Sequence, residues 1–333
     1  SGSFDSTSKT IDLEMPYEEM DKRLIINSST ISIIATNSDR GGFFAKLSAS
    51  SDMENLFLLS DWYVYDSVID SNGNFEVIAS SQTDTGSYNL FFATVNHRSD
   101  VIGSYVIDTF NYYDMPKKLR LYVKNGVDYV FSDDNGEFSV IKFENGEISS
   151  LKEISVQDSV YTQFVKGFVD DNIYAVGYYI KTDSTTDAFI ARISDDLSSQ
   201  SIITFNSPGN VSYDRFSDII KLGDNLYVSG YSNNGSDNYG FLLKYDLATL
   251  KLMDSRIFNS GKNESIKDIL LTDDKKYFII GGDLQKGSAS ISNRIPFFIK
   301  LDTNTLDVTS LYYYPEDRNN NIVYQSAVND ADY

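Results

Sequence analysis

Asp224-Asn225-Leu226-Tyr227-Val228-Ser229-Gly230 decides how this chain folds, because the chain writes it more than once. The same frame stands at Asp171-Asn172-Ile173-Tyr174-Ala175-Val176-Gly177. A looser copy stands at Asp274-Lys275-Lys276-Tyr277-Phe278-Ile279-Ile280-Gly281. A second block follows each copy across a short gap: Phe189-Ile190-Ala191-Arg192-Ile193, Phe241-Leu242-Leu243-Lys244-Tyr245 and Phe297-Phe298-Ile299-Lys300-Leu301. The copies recur about every fifty residues, which marks a repeat of whole supersecondary units.

Worn copies precede them. Ile33-Ile34-Ala35-Thr36 comes before Phe43-Phe44-Ala45-Lys46-Leu47, and Val77-Ile78-Ala79-Ser80 before Leu90-Phe91-Phe92-Ala93-Thr94. Tyr129-Val130-Phe131-Ser132 comes before Phe138-Ser139-Val140-Ile141-Lys142.

Each unit reads as four short strands. In the unit around 213–258, strand A runs from Arg215 to Leu222 and strand B from Leu226 to Gly230. Strand C runs from Tyr239 to Asp246 and strand D from Lys251 to Phe258. The runs are rich in Val, Ile, Tyr and Phe, with Gly and Asp/Asn pairs between them, as in Leu222-Gly223-Asp224-Asn225. No stretch carries a convincing helical period, and the five prolines spare the strong strand patterns.

A four-stranded unit with two apolar faces cannot bury either face alone, and stacking such units radially buries both. The expected fold is therefore an all-β propeller of four-stranded blades, with repeats at 16–60, 61–108, 109–156, 157–206, 207–258 and 259–314. Residues 4–13 resemble the C–D hairpin at 301–308, and 321–330 resemble a strand A. The expectation is a single domain over 1–333 with seven blades, the seventh shared by 315–333 and 1–15. A six-bladed ring is the alternative.

Composition narrows the function. Forty-eight acids against 28 Lys and Arg give a net charge of −20. That argues against nucleic acid, whose phosphates need clustered cations. With no cysteine and one histidine, thiol catalysis, disulfides and thiolate or multi-histidine metal sites are excluded. No apolar run is long enough for a membrane span. His97 falls in a C–D hairpin, on the opposite face from the D–A loops. There is no Gly-x-Ser-x-Gly elbow, phosphate loop or dinucleotide fingerprint.

Function on such a scaffold is expected at the face made by the D–A and B–C loops. The D–A loops repeatedly pair an aromatic with a carboxylate, which nominates Tyr17, Glu18, Trp62, Tyr63, Tyr113, Asp114, Tyr161, Tyr213, Asp214, Tyr314 and Glu316 as ligand-binding residues. Aromatic platforms beside acids suit a sugar ring or a cationic group. The competing use is structural, with tyrosines packed between blades and acids capping turns. No cofactor is expected. Calcium is the one metal left open, at the oxygen-rich Asp70-Ser71-Asn72-Gly73-Asn74 and Asp133-Asp134-Asn135-Gly136-Glu137, both of which also fit hairpin turns.

The Tyr-Val-x-Gly strand followed by Phe-Leu-x-Lys-Tyr/Leu-Asp resembles the repeats of bacterial seven-bladed propellers of exported proteins. Tyr227 to Gly230 with Phe241 to Asp246 carries the resemblance best, followed by Ile279 to Gly281 with Phe297 to Asp302. The resemblance implies an extracellular, periplasmic or surface-anchored protein, and it brings no catalytic residues. The small, polar start Ser1-Gly2-Ser3-Phe4-Asp5-Ser6 fits a mature exported chain cut after a lipid-anchoring cysteine, and fits an expression scar equally. The expected function is a non-enzymatic scaffold for a protein or carbohydrate ligand. A carbohydrate-active enzyme with carboxylates at the propeller mouth is one alternative, and a structural module of a surface assembly is another.

Overall fold

The structure is a computed structural model. It describes the backbone of 20–26, 30–37, 41–48 and 53–59, and residues 62–70, 73–96, 100–110, 118–134, 136–144, 147–207, 213–233, 238–260, 263–285 and 294–313. These fall into two compact units, divided after Met115. The expected closing blade lies outside the described residues, as do Tyr17, Glu18, Tyr113, Asp114, Tyr314, Glu316 and His97.

The first unit holds two antiparallel four-stranded sheets. One is β1 (Met20–Ile26), β2 (Thr30–Asn37), β3 (Gly41–Ser48) and β4 (Met53–Leu59). The other is β5 (Trp62–Ile69), β6 (Phe75–Gln82), β7 (Tyr88–Val95) and β8 (Val101–Phe110).

The second unit holds four such sheets. They begin with β9 (Lys118–Lys124), β10 (Val127–Asp134), β11 (Glu137–Glu144) and β12 (Glu147–Ile154), then β13 (Ser159–Val169), β14 (Asn172–Lys181), β15 (Thr186–Ser194) and β16 (Gln200–Phe205). Next come β17 (Tyr213–Leu222), β18 (Asn225–Asn233), β19 (Asn238–Asp246) and β20 (Leu252–Phe258). The last are β21 (Glu264–Leu271), β22 (Tyr277–Gln285), β23 (Arg294–Asp302) and β24 (Val308–Tyr313). A single parallel bridge, Thr186 to Tyr213, joins two neighbouring sheets. The strands expected within 213–258 are all present, each displaced by a few residues at most.

Burial runs from the inside outward. In the second unit the A strands β13, β17 and β21 lie against one another in turn. The B strands β14 and β18 are buried on both faces, which explains why they read as continuous apolar runs and not as alternation. The D strands β8 and β20 are exposed along nearly their whole length. Between sheets lie apolar layers: Phe131, Phe138, Phe164 and Phe189 in one, Val176, Ile190, Phe216 and Phe241 in the next, and Tyr227, Leu242, Phe278 and Phe297 in the third.

The repeat motif now has a physical meaning. A Cβ on Gly230 would lie 2.2 Å from the Arg215 carbonyl oxygen and 2.8 Å from the Phe241 ring. Gly177 meets Gln163 and Phe189 in the same way, and Gly282 meets Ser265 and Phe297. The glycine therefore lets strand A approach over the strand C phenylalanine. A β-bulge in strand A sits beside each contact, at Phe164/Lys166, Phe216/Asp218 and Ile266/Asp268. In the third copy the glycine in this role is Gly282, one residue beyond the Gly281 of the sequence alignment, since Gly282 pairs with Phe297.

The lysine of the second block lies over the strand B tyrosine, Lys244 on Tyr227 at 5.7 Å and Lys300 on Tyr277 at 3.7 Å. The closing aspartate begins the C–D turn, where Asp246 accepts from the Thr249 N–H at 2.8 Å and the Thr249 hydroxyl at 2.6 Å. The bulge aspartate ties sheets together. Asp218 accepts from the N–H of Ile219 at 2.7 Å and from that of Ile269, in the following sheet, at 2.9 Å. Lys166 from the preceding sheet reaches it at 3.2 Å.

Candidate binding site

The D–A loop residues that the structure describes have divergent surroundings. Trp62 sets its ring edge-on to Phe91 at 4.6 Å, and Tyr63 meets Tyr65 in the same manner at 4.9 Å. Tyr65 lies deeper, and burial pushes its hydroxyl up to about 12. Tyr161 is half-buried, and its ring lies where a Cβ on Gly136 would stand. Burial raises the Tyr161 hydroxyl, and Asp133 adds to the shift. Tyr213 is 43% exposed at the start of β17.

Asp214 is turned inward. It is 1% exposed and accepts from the Ser207 N–H at 2.9 Å, the Ser207 hydroxyl at 2.8 Å and the Ser232 hydroxyl. Burial raises its carboxyl, and these three bonds oppose the shift. It ties the start of β17 to Ser207 and to Ser232 of β18. Glu264 takes the equivalent place on β21 and accepts from the N–H and hydroxyl of Ser260. Leu284 stands where Ser232 does, and one Glu264 oxygen has no donor among the described residues.

In both oxygen-rich stretches the described residues show turn geometry. Asp70 accepts from the Asn74 N–H at 2.8 Å and the Asn74 amide at 3.0 Å. Gly136 supplies a positive φ of 91° in the other. Among the described residues no group of three or more His, Cys, Asp or Glu side chains gathers as a metal site.

A different set of side chains, not marked by the repeat motif, comes together toward the leading ends of the A strands. Tyr178 and Tyr231 each follow the repeat glycine on strand B. From the next sheet, Arg215 lies over the Tyr178 ring at 4.2 Å and Lys267 over the Tyr231 ring at 5.1 Å. The Tyr178 hydroxyl donates to the Gln163 side-chain oxygen. Burial raises the Tyr178 hydroxyl, Arg215 draws it back, and Tyr161, Tyr231 and Asp133 push it up again. Tyr161, Tyr178, Tyr231, Arg215 and Lys267 are all partly exposed. Three successive sheets thus contribute to one row of aromatic and cationic side chains, and Tyr161 is its member from the loop set.

No protein-family model matches the chain, and no curated protein matches it. Solved structures do. Drosophila Plexin A, in complex with Semaphorin 1b, is similar with a TM-score of 0.54 and 9% identity, over 88% of this chain and 77% of that one. An ACO/RPE65 chimera is similar with a TM-score of 0.51 and 10% identity, over 85% of this chain and 69% of that one. Kluyveromyces lactis Hsv2 gives 0.50 and 10%, over 85% and 74%. At such identities the likeness concerns the fold. Together with tandem four-stranded antiparallel sheets, it makes the chain a β-propeller. Among the described residues no helix is long and apolar enough to cross a membrane.

Proposed function

We propose that the chain is a non-enzymatic, exported propeller that binds a protein partner through the leading ends of its A strands. One observation carries this reading: Tyr161, Tyr178 and Tyr231 share a partly exposed row with Arg215 and Lys267, drawn from three successive sheets. Tyrosine and arginine dominate the energetics of protein interfaces, because they bury large areas at low entropic cost and still offer hydrogen bonds. The Drosophila Plexin A structure holds a protein, Semaphorin 1b, and a protein partner for this chain is in keeping with that.

A protein is favoured over a sugar because Arg215 and Lys267 already cover faces of Tyr178 and Tyr231 that a sugar ring would stack on. Asp214 is committed to Ser207 and Ser232, which favours binding over glycoside chemistry, where paired carboxylates must face a cleft. Export rests on the resemblance to repeats of exported bacterial propellers.

A photo-crosslinking amino acid at Tyr213, beside the row, tests the proposal in cells of the source organism. The same group at Met253, on the exposed strand β20, is the control. The expected result is a discrete protein adduct from position 213 and none from 253. Equal labelling from both positions, or none from 213, overturns the reading. Cell fractionation checks export.

A further inference from the structure

We infer that the leading ends of β13, β17 and β21 take an acidic segment of the protein partner, whose Asp or Glu carboxylates are held by Arg215 and Lys267. This rests on the protein-binding reading and names the chemistry of the partner.

The inference starts from an imbalance between donors and acceptors. A guanidinium carries five N–H donors and an ammonium three. Among the described residues neither Arg215 nor Lys267 pairs with a carboxylate; each lies on a tyrosine ring of the neighbouring sheet. That runs against the composition, in which acids outnumber bases 48 to 28. The acids around the row are engaged or buried. Asp214 is held by Ser207 and Ser232, Asp218 by Lys166 and two backbone N–H groups, and Asp133 is buried. The row therefore offers N–H donors that no carboxylate among the described residues takes up.

The chemistry fits a carboxylate. A guanidinium laid flat on an aromatic face keeps its N–H edge clear for a bidentate carboxylate. The tyrosine beneath fixes its position, so less side-chain freedom is lost on binding. The net charge of −20 repels an acidic partner at long range. At physiological salt the screening length is only about 8 Å, so contact at the row decides affinity.

The test uses the full chain at physiological salt and fluorescence anisotropy of three labelled probes: oligo-glutamate, oligo-glutamine and oligogalacturonate. The variants are Arg215→Met with Lys267→Met, the conservative Arg215→Lys, and a charge-matched control, Lys251→Met with Arg256→Met on the exposed edge. Thermal denaturation of each variant verifies folding. Oligo-glutamate is expected to bind the parent chain, and to bind the Arg215/Lys267 variant about tenfold more weakly or worse. Arg215→Lys is expected to fall between them, and the control to match the parent.

Equal weakening in the control overturns the inference, because binding is then unspecific. Binding of oligogalacturonate without oligo-glutamate also overturns it, in favour of an acidic sugar. If no probe binds while the Tyr213 adduct persists, the carboxylate chemistry is wrong and the protein-binding reading stands. If both fail, both fall.

Discussion

Two sheets of this molecule follow the same plan with different fidelity. In β17–β20 the repeat is intact: Gly230 lies beneath the Arg215 carbonyl with the Phe241 ring against it. In β5–β8 the same place is Ala79, paired with Phe91, and Phe91 meets the edge of Trp62. Both sheets keep the strand A bulge, at Val64/Asp66 and at Phe216/Asp218. Both bulge aspartates accept the N–H of the next residue. The residue after the glycine position differs most. It is Tyr231 in the intact sheet, under Lys267, and Ser80 in the worn one, near the Tyr65 hydroxyl. The bulge and its aspartate thus persist in β5–β8, while the close-approach glycine and the aromatic row belong to the sheets of β13–β24.

The largest effect should separate the two phenylalanines. Phe241 is 1% exposed, and Phe241→Ala should cost about 3–5 kcal/mol in denaturant unfolding. Phe91→Ala should cost less, since Phe91 is less deeply enclosed and Trp62 is partly exposed beside it. Equal losses would break the distinction.

Exchanging the small residues comes next. Gly230→Ala forces a Cβ against a backbone carbonyl and should cost about 1–3 kcal/mol. Ala79→Gly adds chain entropy and removes one buried methyl, with no backbone clash, about 1–2 kcal/mol in all. Denaturation midpoints of the two variants measure this directly. A neutral Gly230→Ala would mean that the close approach is not required.

A third effect depends on pH. Burial holds the Asp214 carboxyl above its ordinary value, so ionising it costs folding free energy. Stability should rise as pH falls from neutrality through the raised value toward the ordinary one, and Asp214→Asn should lose that rise. The stability of the parent relative to the variant is therefore greater near the ordinary carboxylate value than at neutrality. Unfolding measured across pH checks the sign, and the opposite slope would place Asp214 in a charge-favouring setting.

The smallest effect has the reverse sign. The Lys221 hydrogen bond holds the Asp170 carboxyl below its ordinary value. Its contribution is present above the ordinary value and is lost as pH falls through the lowered one. The pair is partly exposed, so Asp170→Asn should cost about 0–1 kcal/mol at neutral pH, and less at high salt.

Strand order was legible because apolar runs and turn residues are local properties. The four strands of 213–258 could be drawn from them, and the phenylalanine and glycine of the motif are the residues that fill the layers between sheets. The site was much less legible. Tyr178 and Tyr231 stand one residue past the repeat glycines, but the cations on their rings arrive from the next sheet, and periodicity along a chain does not say which side chains meet across sheets. In the sequence Asp214 reads as an acceptor beside Tyr213, and only the positions of Ser207 and Ser232 show that it is already bonded within the chain. The repeated Gly-Tyr pair was the available signal. A polar aromatic following a packing glycine in successive copies has no role in the glycine's contact and invites another explanation.

The sheets of the second unit are built from buried B and C strands outward to an open D strand, and in three of them the row of Tyr161, Tyr178 and Tyr231 with Arg215 and Lys267 lies toward the leading ends of the A strands. Amide hydrogen exchange of the free chain, resolved to peptides, tests this arrangement most directly. The account predicts slow exchange in β14, β15, β18 and β19, fast exchange in β8 and β20, and intermediate protection at the start of β13, β17 and β21. Protection of β20 as strong as that of β18, or rapid exchange through β18 and β19, would contradict it.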